Sequence, residues 1–152
     1  MGSKADMNFT FDSDLELKDA GLVAASAAAT VNGSAQILDL GDALMQGMVV
    51  IEVSAIEIAS NDEAYTIVAQ FSSDADFGTA GNIHDMCQMH LGAKETKLSD
   101  CDKDDEAGRY LLPVQNWEDG TYYRYMRLYT VVAGTIASGI NYRAFLSKGS
   151  LQ

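Results

Sequence analysis

The chain has 152 residues, with 10 Lys and Arg against 22 Asp and Glu, a formal net charge of −12 and 47% hydrophobic residues. That length makes one domain, or a domain with an arm, and can form a core without metal or disulfide. The charge repels a phosphate backbone and no Lys/Arg stripe offsets it, which argues against nucleic acid as a partner.

Met1-Gly2-Ser3-Lys4, ahead of a second methionine at Met7, reads either as a tag remnant or as native sequence through Asp6. A secretory leader needs a basic start and an apolar middle. Here Asp6, Asp12, Asp14 and Glu16 occupy the start, so Ala24–Ala29 is not read as a leader. Ala20 to Leu38 is uncharged, but Asn32, Gln36 and many Ser and Thr make it too polar for a membrane span. Neither membrane nor export is expected, and the protein is expected to be made and used in a cytoplasm.

Residues 1–33 read as an N-terminal arm. Ser13-Asp14-Leu15-Glu16 has capping-box spacing and favours a helix over Asp14–Ala29. Gly21 and the β-branched pair Thr30-Val31 oppose it. The expected state is an extended arm that ends at an Asn32-Gly33 turn and gains order on a partner. Phe9, Phe11, Leu15, Leu17 and Leu22 would be its contact residues. In free protein such an arm should exchange amides quickly and be cut first by protease.

Residues 34–148 read as the folded domain and 149–152 as a tail. Gln36 to Leu40 is a short strand. Met48 to Ile58 places Val49, Ile51, Val53 and Ala55 on one face, and Tyr65 to Phe71 places Tyr65, Ile67, Ala69 and Phe71 together. Arg109 to Val114 is an edge strand, since Pro113 removes a ladder donor. Tyr122 to Val132 sets Tyr123, Tyr125, Tyr129 and Val131 against Met126, Leu128 and Thr130. After a Gly134-Thr135 turn, Ile140 to Leu146 sets Tyr142 and Leu146 against Arg143 and Phe145. Short strands at this spacing predict an all-β, jelly-roll-like antiparallel sandwich.

Chemistry-bearing patterns are few. His84, Cys87 and His90 recur at two-residue gaps, with Cys101 further on. Zinc takes such ligands tetrahedrally, but no Cys pair has knuckle spacing, so a metal is not favoured and no cofactor is expected. Asp100 to Glu106 begins like a calcium loop, then places Asp105 where glycine is required and Leu111 where glutamate is required. No nucleophile elbow or phosphate loop occurs. Glu52 and Glu57 read as solvent-facing, and no enzyme is expected. The run Tyr122-Tyr123-Arg124-Tyr125-Met126-Arg127 is either an interface or an amphipathic strand, since Tyr and Arg concentrate at binding hot spots.

Three stretches carry a likeness. Tyr125 to Val131, Gly134-Thr135-Ile136-Ala137-Ser138-Gly139 and Tyr142 to Leu146 together resemble the C-terminal signature of capsid cement (decoration) proteins of tailed phages, such as the one on a Bordetella phage head. Arg124, Tyr125 and Arg127 occupy the matching places of that signature. Phe71-Ser72-Ser73-Asp74-Ala75-Asp76-Phe77 is similar to the family's turn, and Ile37-Leu38-Asp39-Leu40-Gly41 to its entry into the fold. The likeness spans Ala27 to Leu146 and departs at His84–Glu106, which is longer and more acidic than the family pattern. It implies a jelly-roll that clamps neighbouring major capsid subunits on the head exterior, as a symmetric dimer or trimer made in the bacterial cytoplasm, without catalytic residues. Tyr122, Tyr123, Arg124 and Arg127 would join the arm at the interface. The alternative is a carbohydrate- or ligand-binding jelly roll, with Trp117 or a tyrosine of the run stacking on sugar and the Asp100–Glu106 loop holding calcium.

Overall fold

The computed structural model describes residues 9–94 and 104–147. It is an antiparallel β-sandwich of two five-stranded sheets and two small hairpins. Six short strands come first: β1 (Glu16–Lys18), β2 (Leu22–Val23), β3 (Ala27–Ala28), β4 (Thr30–Val31), β5 (Ser34–Ala35) and β6 (Leu38–Asp39). The longer ones follow: β7 (Gln46–Ile56), β8 (Ala64–Ser72), β9 (His84–Gly92) and β10 (Gly108–Gln115). A small hairpin, β11 (Trp117–Glu118) and β12 (Thr121–Tyr122), leads into β13 (Tyr125–Ala133) and β14 (Ile140–Ser147). One sheet runs β1-β14-β7-β10 with β2 also on β14; the other runs β3-β13-β8-β9 with β6 also on β13. Among the described residues, no helix is long and apolar enough to cross a membrane.

Period 2 decides the core, as expected for strands with one face buried. Val49, Ile51 and Val53 of β7 meet Tyr65, Ile67, Ala69 and Phe71 of β8. Met126 and Leu128 of β13 and Tyr142, Ala144 and Leu146 of β14 fill the middle. Burying one such side chain is worth about 1.5–3 kcal/mol, so this layer dominates the favourable energy. Pro113 lies on β10, at the edge of its sheet, as its missing N–H requires. Asn32 and Gly33, both at positive φ, turn β4 into β5.

From Phe9 onward the N-terminal segment is extended, but it does not stand apart from the sandwich. Among its described residues helical structure is limited to one 3-10 turn, Ser13–Leu15, whose Asp14 N–H donates to the Asp12 carboxylate at 2.9 Å. β1 and β2 then pair with β14 in one sheet, and β3 pairs with β13 in the other. The segment crosses between the sheets and closes that side of the sandwich. Leu17, expected at a partner interface, is fully buried in the core, and Ala29 is buried beside it. The division at residue 33 is therefore corrected: strands on both sides of it share the same sheets.

Lys18 fixes this crossing. Its side chain is buried, and its Nζ donates to the carbonyls of Asp19 (2.9 Å), Gly21 (3.1 Å) and Tyr142 (3.0 Å). Loss of water pushes its pKa down, only partly opposed by the Asp19 carboxylate. All three ammonium donors are used, which offsets part of the desolvation cost.

Candidate functional site

The best-organised exposed surface lies at one pole, where β9 starts, β10 ends and β13 starts. Its anchor is Asn116, fully buried between β10 and β11. The Asn116 amide donates to the carbonyls of Ala43 (2.9 Å) and Tyr123 (3.0 Å), and its Oδ1 accepts the Met45 N–H at 2.7 Å. Its backbone N–H reaches the Met45 carbonyl, and its own carbonyl accepts the Tyr123 N–H. A buried amide so completely paired is a rigid joint.

From this joint rises the β11–β12 hairpin. Asp119 (φ +48°) and Gly120 (φ +83°) form its two-residue turn, the primed type that matches strand twist. Trp117 and Tyr122 are direct cross-strand partners and stay 42% and 50% exposed. Leu44, next to the Asn116 joint, is also exposed. Tyr123 is half-buried and stacks on the His84 ring, centroids 4.3 Å apart, with Glu118 3.9 Å from His84 Nδ1. Arg124 makes two parallel 2.8 Å bonds to Asp39 and approaches Asp42 at 3.5 Å. These bonds, with the Gly41 N–H, hold the Asp39 carboxyl at about 2. The pole is thus an aromatic platform with an acidic rim.

The other sequence-predicted residues lie elsewhere. Arg127 sits on the outer face of its sheet, donating to Gln70 at 2.8 Å and covering the Phe77 ring at 4.4 Å. The Tyr/Arg run is therefore divided: Tyr125, Arg127 and Tyr129 face outward, Met126 and Leu128 inward, and Tyr122 to Arg124 belong to the pole. Phe9 is half-buried, and Leu15 packs against the core. Phe11 meets Phe145 edge-on at 5.4 Å with Arg143 over its ring, so Phe145 and Val50 are buried on an outer face. Leu22 is 61% exposed on β2.

His84, Cys87 and His90 do not converge. All three lie on β9, where a bulge at Met86 shifts the register. His90 is opposite Thr66 and faces out, bonded to the Thr66 hydroxyl at 3.0 Å. Cys87 is opposite Ala69 and packs against the core, where burial pushes its thiol up. Among the described residues no three His, Cys, Asp or Glu could hold a metal. Cys101 and 100–103 of the acidic loop lie outside the described residues.

Glu52 and Glu57 are paired carboxylates, not free ones. Arg109 and Arg143 both donate to Glu52 across β10, β7 and β14. Glu57 accepts the backbone N–H groups of Ala137, Ser138 (2.6 Å) and Gly139 (2.8 Å), which organise the β13–β14 loop and pull its carboxyl down. The sequence reading missed Asn116 and the β11–β12 hairpin. Asp119-Gly120 between Trp-Glu and Thr-Tyr is the signal that marks the hairpin. No family model matches the chain, and no curated protein matches it.

Proposed function

We propose that this chain is a capsid decoration protein, which binds the outside of an assembled tailed-phage head and clamps neighbouring major capsid subunits. The observation that carries the reading is the placement of the residues that resemble that family. Tyr125 to Val131, the Gly134–Gly139 loop and Tyr142 to Leu146 form one unit, β13, its loop and β14, inside both sheets. The loop is fixed by Glu57 and by Asp62, whose carboxylate accepts from the backbone and hydroxyl of Thr135 at 2.9 Å. A side chain at Gly134 would strike the Asp62 carbonyl, and one at Gly139 the Val23 carbonyl. The Gly-Thr-x-x-Ser-Gly spacing thus has a structural reason, which supports treating the likeness as one of fold.

Strand order supports the jelly-roll form. Counted in chain order, the eight principal strands β1, β3, β7, β8, β9, β10, β13 and β14 give sheets 1-8-3-6 and 2-7-4-5. That is the interleaving of two Greek keys. In this reading the protein acts as a symmetric dimer or trimer on the virion exterior, with Phe11, Leu22 and Tyr122 as exposed contacts, and it has no catalytic role. Many small clips spread over a lattice strengthen it through effective concentration. The test is co-sedimentation with empty expanded heads of the encoding phage, beside unassembled capsid subunits. Binding to expanded heads alone, with a raised head-disruption temperature, is the expected result. Absence of both removes the proposal.

A further inference from the structure

We propose that the Trp117–Tyr122 pole is a docking surface for a cationic protein segment that presents Arg or Lys to the two rings. The inference rests on the pole's own chemistry and holds whichever protein supplies the segment.

The molecule's own pairings point to the ligand. Arg124 lies over Tyr125, Arg127 over Phe77, Arg143 over Phe11 and Lys18 over Tyr142, all within 5.5 Å of the ring centre. Trp117 and Tyr122 are exposed and carry no such cation among the described residues. Tryptophan presents the most attractive face to a cation. Charge selects the same class: Asp119 sits at the hairpin turn, Glu118 on its other face beside His84, and Asp39 and Asp42 at its base, where Arg124 is the one Arg or Lys paired with them among the described residues, so the pole keeps a net negative charge. An anionic segment would be repelled, whereas a basic one gains from both rings and rim. The platform is also preorganised. The primed turn fixes the hairpin and Asn116 fixes its base, so little ordering is left for binding to oppose.

Trp117 is the chain's single tryptophan, so its emission reports on the site. The probe is an acetylated, amidated Gly-Arg-Arg-Gly peptide, titrated by fluorescence and by calorimetry. A Gly-Gln-Gln-Gly peptide and a panel of neutral oligosaccharides run alongside. Saturable binding of the Arg peptide alone, weakened by salt, is the expected result. Tyr122→Ala should weaken it by about tenfold, the scale of a lost cation–ring contact. Asp119→Asn with Asp42→Asn should weaken it comparably, the asparagine keeping the left-handed turn position. Asp105→Asn with Glu106→Gln, at the far end of β10, should leave it unchanged. Equal loss in both double variants would reveal general charge adsorption and overturn the proposal. So would absence of saturable binding in calorimetry, or saturation by an oligosaccharide, which would make the pole a sugar site.

Discussion

Gly139 combines a positive φ of +95° with a backbone approach so close that a Cβ would strike the Val23 carbonyl. Gly33 has a similar φ of +76° but open space around its Cβ position. The pair separates two costs that substitution usually mixes. Gly33→Ala should lose about 1 kcal/mol, the cost of a left-handed backbone alone. Gly139→Ala should lose clearly more, because β2 must also move away from the β13–β14 loop; denaturant melts of both variants measure the difference. Asn116→Ala tests the polar joint: it leaves the Met45 N–H and two carbonyls without their buried partner, for a loss of about 1–3 kcal/mol. Such residues are hard to see in a sequence. Asn116 looks like any turn asparagine, and only the meeting of three separate segments shows its role.

At the level of strands, legibility followed length and phase. β7, β8, β13 and β14 each hold eight or more residues, so alternation had room to appear, and the expected core of β8 is the core found. β9 is as long, but its Met86 bulge breaks the alternation. His84, Cys87 and His90 then looked like a spacing pattern, when Cys87, Met89 and Leu91 are an inward row. β1 to β6 have only two or three residues each and change sheets between them, so no period could build up. Their burial nevertheless makes a prediction. Leu17→Ala should cost about 2–5 kcal/mol, as for a fully buried leucine. The amide protons of β1 should exchange as slowly as those of its partner β14, and fast exchange there would separate the segment from the core after all.

The links between strands also carry the pH dependence. Glu57 and Glu52 are held below their ordinary value of 4.5 by their N–H and guanidinium donors, and Asp62 below 3.8 by Thr135. Their folded-state pKa values are depressed, so their contribution is fully present above those ordinary values and is lost as pH falls through the lower folded ones. The melting temperature should therefore be flat near neutrality and fall below about pH 4.5. Glu57→Gln should flatten part of that acid limb, measured by thermal melts across pH.

For the molecule as a whole, one pole and the β2 edge carry the exposed apolar side chains Leu44, Trp117, Tyr122 and Leu22. Each outer face is covered in part, one by Phe11 on Phe145, the other by Phe77 under Arg127, and Phe11 keeps an exposed side. Removing residues 1–22 would take away β1 and Leu17 and uncover β14. That truncation should lower the melting temperature sharply, so it cannot separate binding from folding. Leu22→Asp, on an exposed side chain, can: it should leave the melt within about 0.5 kcal/mol of the parent while reducing binding to expanded heads.

Glu16 at the head of β1 faces Phe145 near the end of β14, so the first and last strands of the fold run side by side in opposite directions. Under tension applied at residues 12 and 147, this pair is loaded like a zipper, its rungs parting one after another instead of resisting together. The first rungs released would draw Leu17 out of the core before β14 parts from β7. The protein would then yield first at this seam, at modest force and in a small initial step visible in a single-molecule pulling trace. A load taken instead through the hairpin at 119–120 and the loop at 134–139 would pass through β13, hydrogen-bonded along both edges, and should be borne to higher force.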